Sequence, residues 1–104
     1  MLVVRIEEAA KQLGATVAAV GSVDELREIA GGADLIVADL AAPGVELEAL
    51  AGAARESGAP LLGFYPHVDV ALRRAAARAG VERVYPRSRF LRELPAILRA
   101  SLNG

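Results

Sequence analysis

Asp34-Leu35-Ile36-Val37-Ala38-Asp39-Leu40 is the stretch that decides the fold. Apolar residues run between its two aspartates without polar alternation. That pattern marks a strand covered on both faces, as in a parallel sheet flanked by helices. Ala41-Ala42-Pro43-Gly44 then reads as a loop. A helix is predicted from there to about Ser57, with Val45, Leu47, Leu50, Ala53 and Ala54 turned inward and Gly58 as its stop. Gly52 inside that helix costs up to ~1 kcal/mol relative to alanine, which predicts close packing against the sheet.

The same alternation of periods extends in both directions. Upstream, residues 5–13 place Ile6, Ala9, Ala10 and Leu13 on one helical face before Gly14. Residues 15–20 form a short β-capable run. Ser22-Val23-Asp24-Glu25 reads as a capping box, with Leu26, Ile29 and Ala30 as the apolar stripe behind it and Gly31-Gly32 as the end. Downstream, residues 60–65 are the next strand, and Pro66-His67-Val68 its exit loop. Asp69 is an N-cap for a helix over 70–79, stopped by Gly80. Residues 81–85 form the last strand, and Ser88 is placed to cap a final helix. Pro95 removes a backbone donor, so the end of the chain reads as a short turn at 89–93 and a second helical piece from Leu94 to Leu102.

The order is therefore α-β-α-β-α-β-α-β-α. It predicts a single domain over 1–104, a three-layer α/β/α sandwich around a parallel sheet of four or five strands. With 54% hydrophobic and 24% charged residues, the 104-residue chain is globular in composition. The absence of cysteine excludes a disulfide framework, a thiolate metal site and a thiol nucleophile. No apolar stretch approaches the ~18 residues of a spanning helix, and no leader is read at the start, so the expectation is a cytoplasmic protein without membrane attachment. No Gly-x-Gly-x-x-Gly follows a strand and there is no P-loop, so no nucleotide cofactor is expected. One histidine with scattered carboxylates lacks metal-site spacing.

The net charge of −1 conceals an asymmetry. Residues 1–58 hold ten acids and four bases, and residues 59–104 hold three acids and eight bases, all arginine. Few aromatics accompany that charge, so nucleic acid is not the expected partner. The basic half instead reads as a surface for an acidic protein partner or for the acidic half of a second copy.

In a parallel sheet Asp39 and Arg87 both reach the carboxyl edge, where open α/β sheets place their sites. Tyr65 and His67 come to that edge as well. Asp39 and Arg87 can form a bidentate ion pair there, and His67, with an ordinary pKa near neutrality, is a candidate anion ligand or proton shuttle.

Residues 5–102 resemble the receiver domain of bacterial response regulators, a flavodoxin-like fold. The resemblance rests on Asp34 to Leu40 with Pro43-Gly44, on Ala59-Pro60-Leu61-Leu62, and on Ala79-Gly80-Val81 leading to Tyr85-Pro86-Arg87-Ser88. It places Asp39 at the phosphoryl acceptor, Tyr65 at a position that is Ser or Thr in receivers, and Arg87 at the receiver lysine. The acidic pair that helps hold Mg²⁺ in receivers has no counterpart, because the chain opens Met1-Leu2-Val3-Val4-Arg5-Ile6 and turns helical almost at once. The strand that is central in the receiver order 2-1-3-4-5 is thus very short or absent. Either its neighbours pair directly, or Met1–Val4, a partner chain or an upstream segment fills the slot.

Without the metal that neutralises charge in phosphoryl transfer, these residues imply a non-catalytic pseudo-receiver in bacterial signalling. It would act through protein–protein contact or self-association by its last strand and flanking helices. Arg73, Arg83, Tyr85, Arg89 and Arg92 are the candidate surface, and Asp39, Tyr65, His67 and Arg87 the degenerate phosphoryl or anion site. The alternatives are a divergent receiver phosphorylated on Asp39 with acids from elsewhere, such as Asp69, and a small anion-binding domain or enzyme at the same edge.

Overall fold

A computed structural model describes residues 2–29, 31–66, 69–81 and 83–103. Leu35–Asp39 is a strand (β2) whose first four residues are buried, as its unbroken apolar run requires. Val17–Val20 (β1) lies on one side of it and Leu61–Tyr65 (β3) on the other, and Arg83–Pro86 (β4) completes a four-stranded sheet in the order β1-β2-β3-β4. Every pairing is parallel. The three-layer α/β/α architecture is therefore the one predicted, with four strands. The order is the flavodoxin-like 2-1-3-4-5 with its central strand removed. Helix α1 spans Leu2–Gln12, so the segment offered as a strand stub is helical from Leu2. The slot is closed by direct pairing of β1 with β2, in the register Val17 to Leu35 through Val20 to Ala38.

The topology dictates the layers. Helices α2 (Val23–Ile29), α3 (Leu47–Ser57) and α4 (Val70–Ala79) each connect one strand to its next neighbour in the same direction. Right-handed crossovers that all step one way put their helices on one face. Accordingly Leu26, Leu50, Ala54 and Ala76 share a core with Val20, Ile36 and Ala38. Helices α1, α5 (Arg87–Arg92) and α6 (Leu94–Leu102) take the other face, where Ile6, Phe90 and Leu98 pack on Leu35, Val37, Leu62 and Phe64. Phe64 and Phe90 stack there with centroids 5.2 Å apart.

Local signals set most boundaries. Asp69 accepts the amide of Leu72 at 3.0 Å and opens α4. Gly58 and Gly80, at φ 81° and 103°, close α3 and α4 in the left-handed region that glycine enters without strain. The Ser22 hydroxyl accepts the Glu25 amide at 3.1 Å, which is the forward half of the expected box. Pro95 sits in the first turn of α6, where its missing donor is harmless.

Four expectations need correction. Ile29 is 45% exposed and does not join the stripe of Leu26, because α2 is only seven residues long and ends there; Ala30 lies outside the described residues. Ser88 does not cap a helix: α5 begins at Arg87, directly after the strand, so Ser88 is already in its first turn. Residues 89–93 are not a separate turn, since helix α5 runs to Arg92. Gly52 does not touch the sheet, because a Cβ there would meet only the Arg55 side chain at 3.9 Å. The close approach is instead at Gly63 in β3, where a Cβ would lie 2.6 Å from Leu40 Cδ1.

Candidate functional site at the carboxyl edge

Asp39 ends β2 and is half-buried. Its register partner in β3 is Phe64. Side chains in register on parallel neighbours share a face, so Asp39 and Phe64 both turn toward α1. There they line a cavity of about 230 Å³ with Leu2, Ile6, Ala19 and Val37 as its apolar wall and Glu25 as its other acid. Asp39 Oδ1 accepts the amide of Ala41 at 3.0 Å. The carboxylate thus folds back on its own exit loop as an Asx turn, which fixes the start of the Ala41–Gly44 loop.

Tyr65 follows Phe64 and so projects to the opposite face of the sheet, 3% exposed. Asp39 and Tyr65 therefore reach the same edge but opposite sides of it. His67 lies outside the described residues. Arg87 starts α5 after β4 and is exposed. Strand β3 separates β4 from β2, which puts the two strand ends roughly 10 Å apart at the usual spacing. The expected Asp39–Arg87 ion pair is not formed among the described residues, where the only ion pairs are Arg89–Glu93 at 3.3 Å and Arg92–Glu93 at 3.4 Å. Asp69, offered as a substitute acid, is committed to capping Leu72.

The reason is topological. Open α/β sheets form their crevice where neighbouring strands send their loops to opposite faces. With the central strand gone, β1, β2 and β3 are consecutive, and the helices that follow them all lie on one face. The end of β2 is consequently not a switch point. What the edge retains is the Asp39 carboxylate in a small, mostly apolar cavity that it lines together with Glu25. No group of three or more His, Cys, Asp or Glu residues suited to a metal ion occurs among the described residues.

The candidate interaction surface is more coherent. Strand β4 is terminal in the sheet. Tyr85 is half-buried against the α1, α5 and α6 core, and the Arg89 guanidinium lies 5.3 Å from its ring centroid. Arg89 and Arg92 share Glu93, with side chains 53% and 70% exposed. Arg73 on α4 is exposed, and Arg83 opening β4 is half-buried. Arg83 lines a separate groove at the amino edge that sequence reasoning missed. Its other arginine, Arg55, is remote in sequence and lies in the acidic half. No helix among the described residues is long and apolar enough to cross a membrane.

No protein-family model matches this chain, and no curated protein matches its sequence.

Proposed function

We propose that this chain is a non-catalytic, receiver-like module that acts through protein–protein contact, with β4 and its flanking helices as the contact surface. The observation that carries the reading is the division of Asp39 and Tyr65 between opposite sheet faces, with Arg87 a further strand away. Residues meant to act on one phosphoryl group would have to converge on it, and these diverge.

The terminal strand supports the positive half of the proposal. Among the described residues, strand β4 leaves one row of backbone donors and acceptors without a neighbouring strand. Helix α5 opens with Arg87 and Arg89, has no acid in its first turn and no side-chain cap. Positive charge at a helix N-terminus opposes the helix dipole by a few tenths of a kcal/mol or more. An acidic partner surface offsets that cost. It would chiefly set encounter rate and specificity. Bacterial signalling in the cytoplasm is the setting that the receiver resemblance suggests.

The test is a paired charge reversal, Arg89→Glu with Arg92→Glu. Sedimentation velocity and affinity capture are run on the wild type and the variant at low and moderate salt. The expected result is that a self-associated species, or a captured protein, is present with the wild type and lost with the variant. A sedimentation and capture profile unchanged by the reversal refutes the proposed surface.

A further inference from the structure

We propose that a groove under the amino ends of β3 and β4 binds a small organic oxyanion, a phosphate monoester or carboxylate that carries an apolar group. The groove has a volume of about 430 Å³, within the range of small-molecule sites. It lies at the edge opposite Asp39. The C-terminal ends of α3, α4 and α6 and the starts of β3 and β4 converge on it.

Its chemistry is one-signed. Arg55 and Arg83 line it, and no carboxylate does among the described residues. Neither guanidinium takes part in an ion pair or a hydrogen bond within the described residues, whereas Arg89 and Arg92 are engaged by Glu93.

Arg55 runs beside the end of α4. Its Nη1 lies 3.0 Å from where a Cβ on Gly80 would stand, so the side chain lies across the left-handed turn that closes α4. The obvious structural use of an arginine there is to bond the last carbonyls of a helix. Two carbonyls in each helix are already taken, since the Gly58 amide reaches Ala54 and Arg55 and the Gly80 amide reaches Ala76 and Ala77, and Arg55 donates to none of the last carbonyls among the described residues. The fork of donors is left for another acceptor, and a guanidinium matches an oxyanion bidentately. The rest of the lining is apolar, with Ala54, Leu61 and Leu102 among it. The Ser101 hydroxyl is spent on the Ile97 carbonyl at 2.9 Å. An ion that is all charge would leave that apolar wall unused, and an apolar group on the anion covers it.

The site overlaps the proposed contact surface only at Arg83. Charge reversal at Arg89 and Arg92 leaves the groove intact, so either proposal can fail alone.

Amide NMR titrations of the full chain with phenyl phosphate, inorganic phosphate and benzyl alcohol test it. Phenyl phosphate is expected to shift Ala54, Ala59, Gly80 and Ser101 saturably. Inorganic phosphate is expected to bind the same residues at least about tenfold more weakly, and benzyl alcohol weaker still. Arg55→Gln and Arg83→Gln should each weaken phenyl phosphate by about tenfold or more, the scale of one lost charge-assisted hydrogen bond. Arg55 is exposed, so its variant keeps the fold, and the dispersion of the spectrum verifies this. Unsaturable or absent shifts, shifts centred on residues 87–92, inorganic phosphate binding as tightly as its ester, or affinity unchanged in both variants each overturns the proposal.

Discussion

Two glycines inside secondary structure should respond to alanine with opposite signs. Gly63 sits in β3, paired on both sides, to Ala38 in β2 and to Val84 in β4. A Cβ there would stand 2.6, 2.7 and 2.9 Å from Leu40 Cδ1, Cγ and Cδ2. Leu40 is 4% exposed, and its amide is tied to the Phe64 carbonyl at 2.9 Å. The contact thus involves the branch point of a buried side chain whose backbone is anchored to the same strand. Overpacking of this kind costs about 1–3 kcal/mol. Loss of glycine's freedom in the unfolded chain returns roughly 0.4–1 kcal/mol, so Gly63→Ala should destabilise by about 1–2 kcal/mol. Gly52 is the control. Its added Cβ would meet only Arg55 Nη2 at 3.9 Å, and Gly52→Ala should stabilise by about 0.5–1 kcal/mol. Urea denaturation followed by circular dichroism reads both. With an m-value of about 1–3 kcal/mol/M, Gly63→Ala should lower the midpoint by about 1 M and Gly52→Ala should raise it. The decisive variant is Gly63→Ala with Leu40→Ala. Leu40→Ala alone should cost about 2–5 kcal/mol. In the double variant the clash disappears, so the two costs should fall short of additive by about 1 kcal/mol or more. Strict additivity, or a Gly63→Ala protein as stable as the parent, would refute the close approach of β3 to Leu40.

Asp69→Ala should destabilise by about 0.5–2 kcal/mol through loss of the Leu72 cap, while Asp69→Asn should retain most of it; thermal melts of the three proteins decide this. Titration with Mg²⁺ and then beryllofluoride, followed by amide NMR, should leave Tyr85 and residues 94–102 unmoved, because Asp39, Tyr65 and Arg87 do not converge. Shifts that start at Asp39 and spread to those residues would establish a working phosphoryl switch and end the non-catalytic reading.

Features that depend on neighbours in sequence were legible before the structure. The Asp69 cap lies three residues from its amide, and the Gly58 and Gly80 stops follow the last turns they close. The unbroken apolar run at 35–38 announced a doubly covered strand, whereas the choice between direct pairing of β1 with β2 and a strand stub at Met1–Val4 was left open by the sequence and is decided by the helical start at Leu2. What sequence could not supply was register. Asp39 and Tyr65 were each placed correctly at the carboxyl edge. The offset that aligns Asp39 with Phe64 instead of Tyr65 is a property of the β2–β3 pairing alone. A one-residue difference in register reverses the face a side chain occupies. The same limitation hid the contact of Gly63 with Leu40 and the meeting of Arg55 with Gly80.

Removing the central strand also changes which edge of the sheet is suited to a ligand. At the carboxyl edge the chain leaves β1, β2 and β3 for the same face, so the loops beside Asp39 run alongside one another, and they part only between β3 and β4, where α5 takes the other face. At the amino edge the situation under β3 and β4 is different. Helices α3 and α4 end there from one face, and α6 ends there from the other, with Ser101 and Leu102 reaching the same groove as Ala54 and Gly80. Elements from both faces meet beneath these two strand starts and line the groove. The end of β2 carries an acid held by its own loop. The opposite edge instead carries two arginines whose guanidiniums are in no ion pair among the described residues. On physical grounds an anion belongs with those arginines and not with Asp39, since a carboxylate partly screened from water repels a second negative charge.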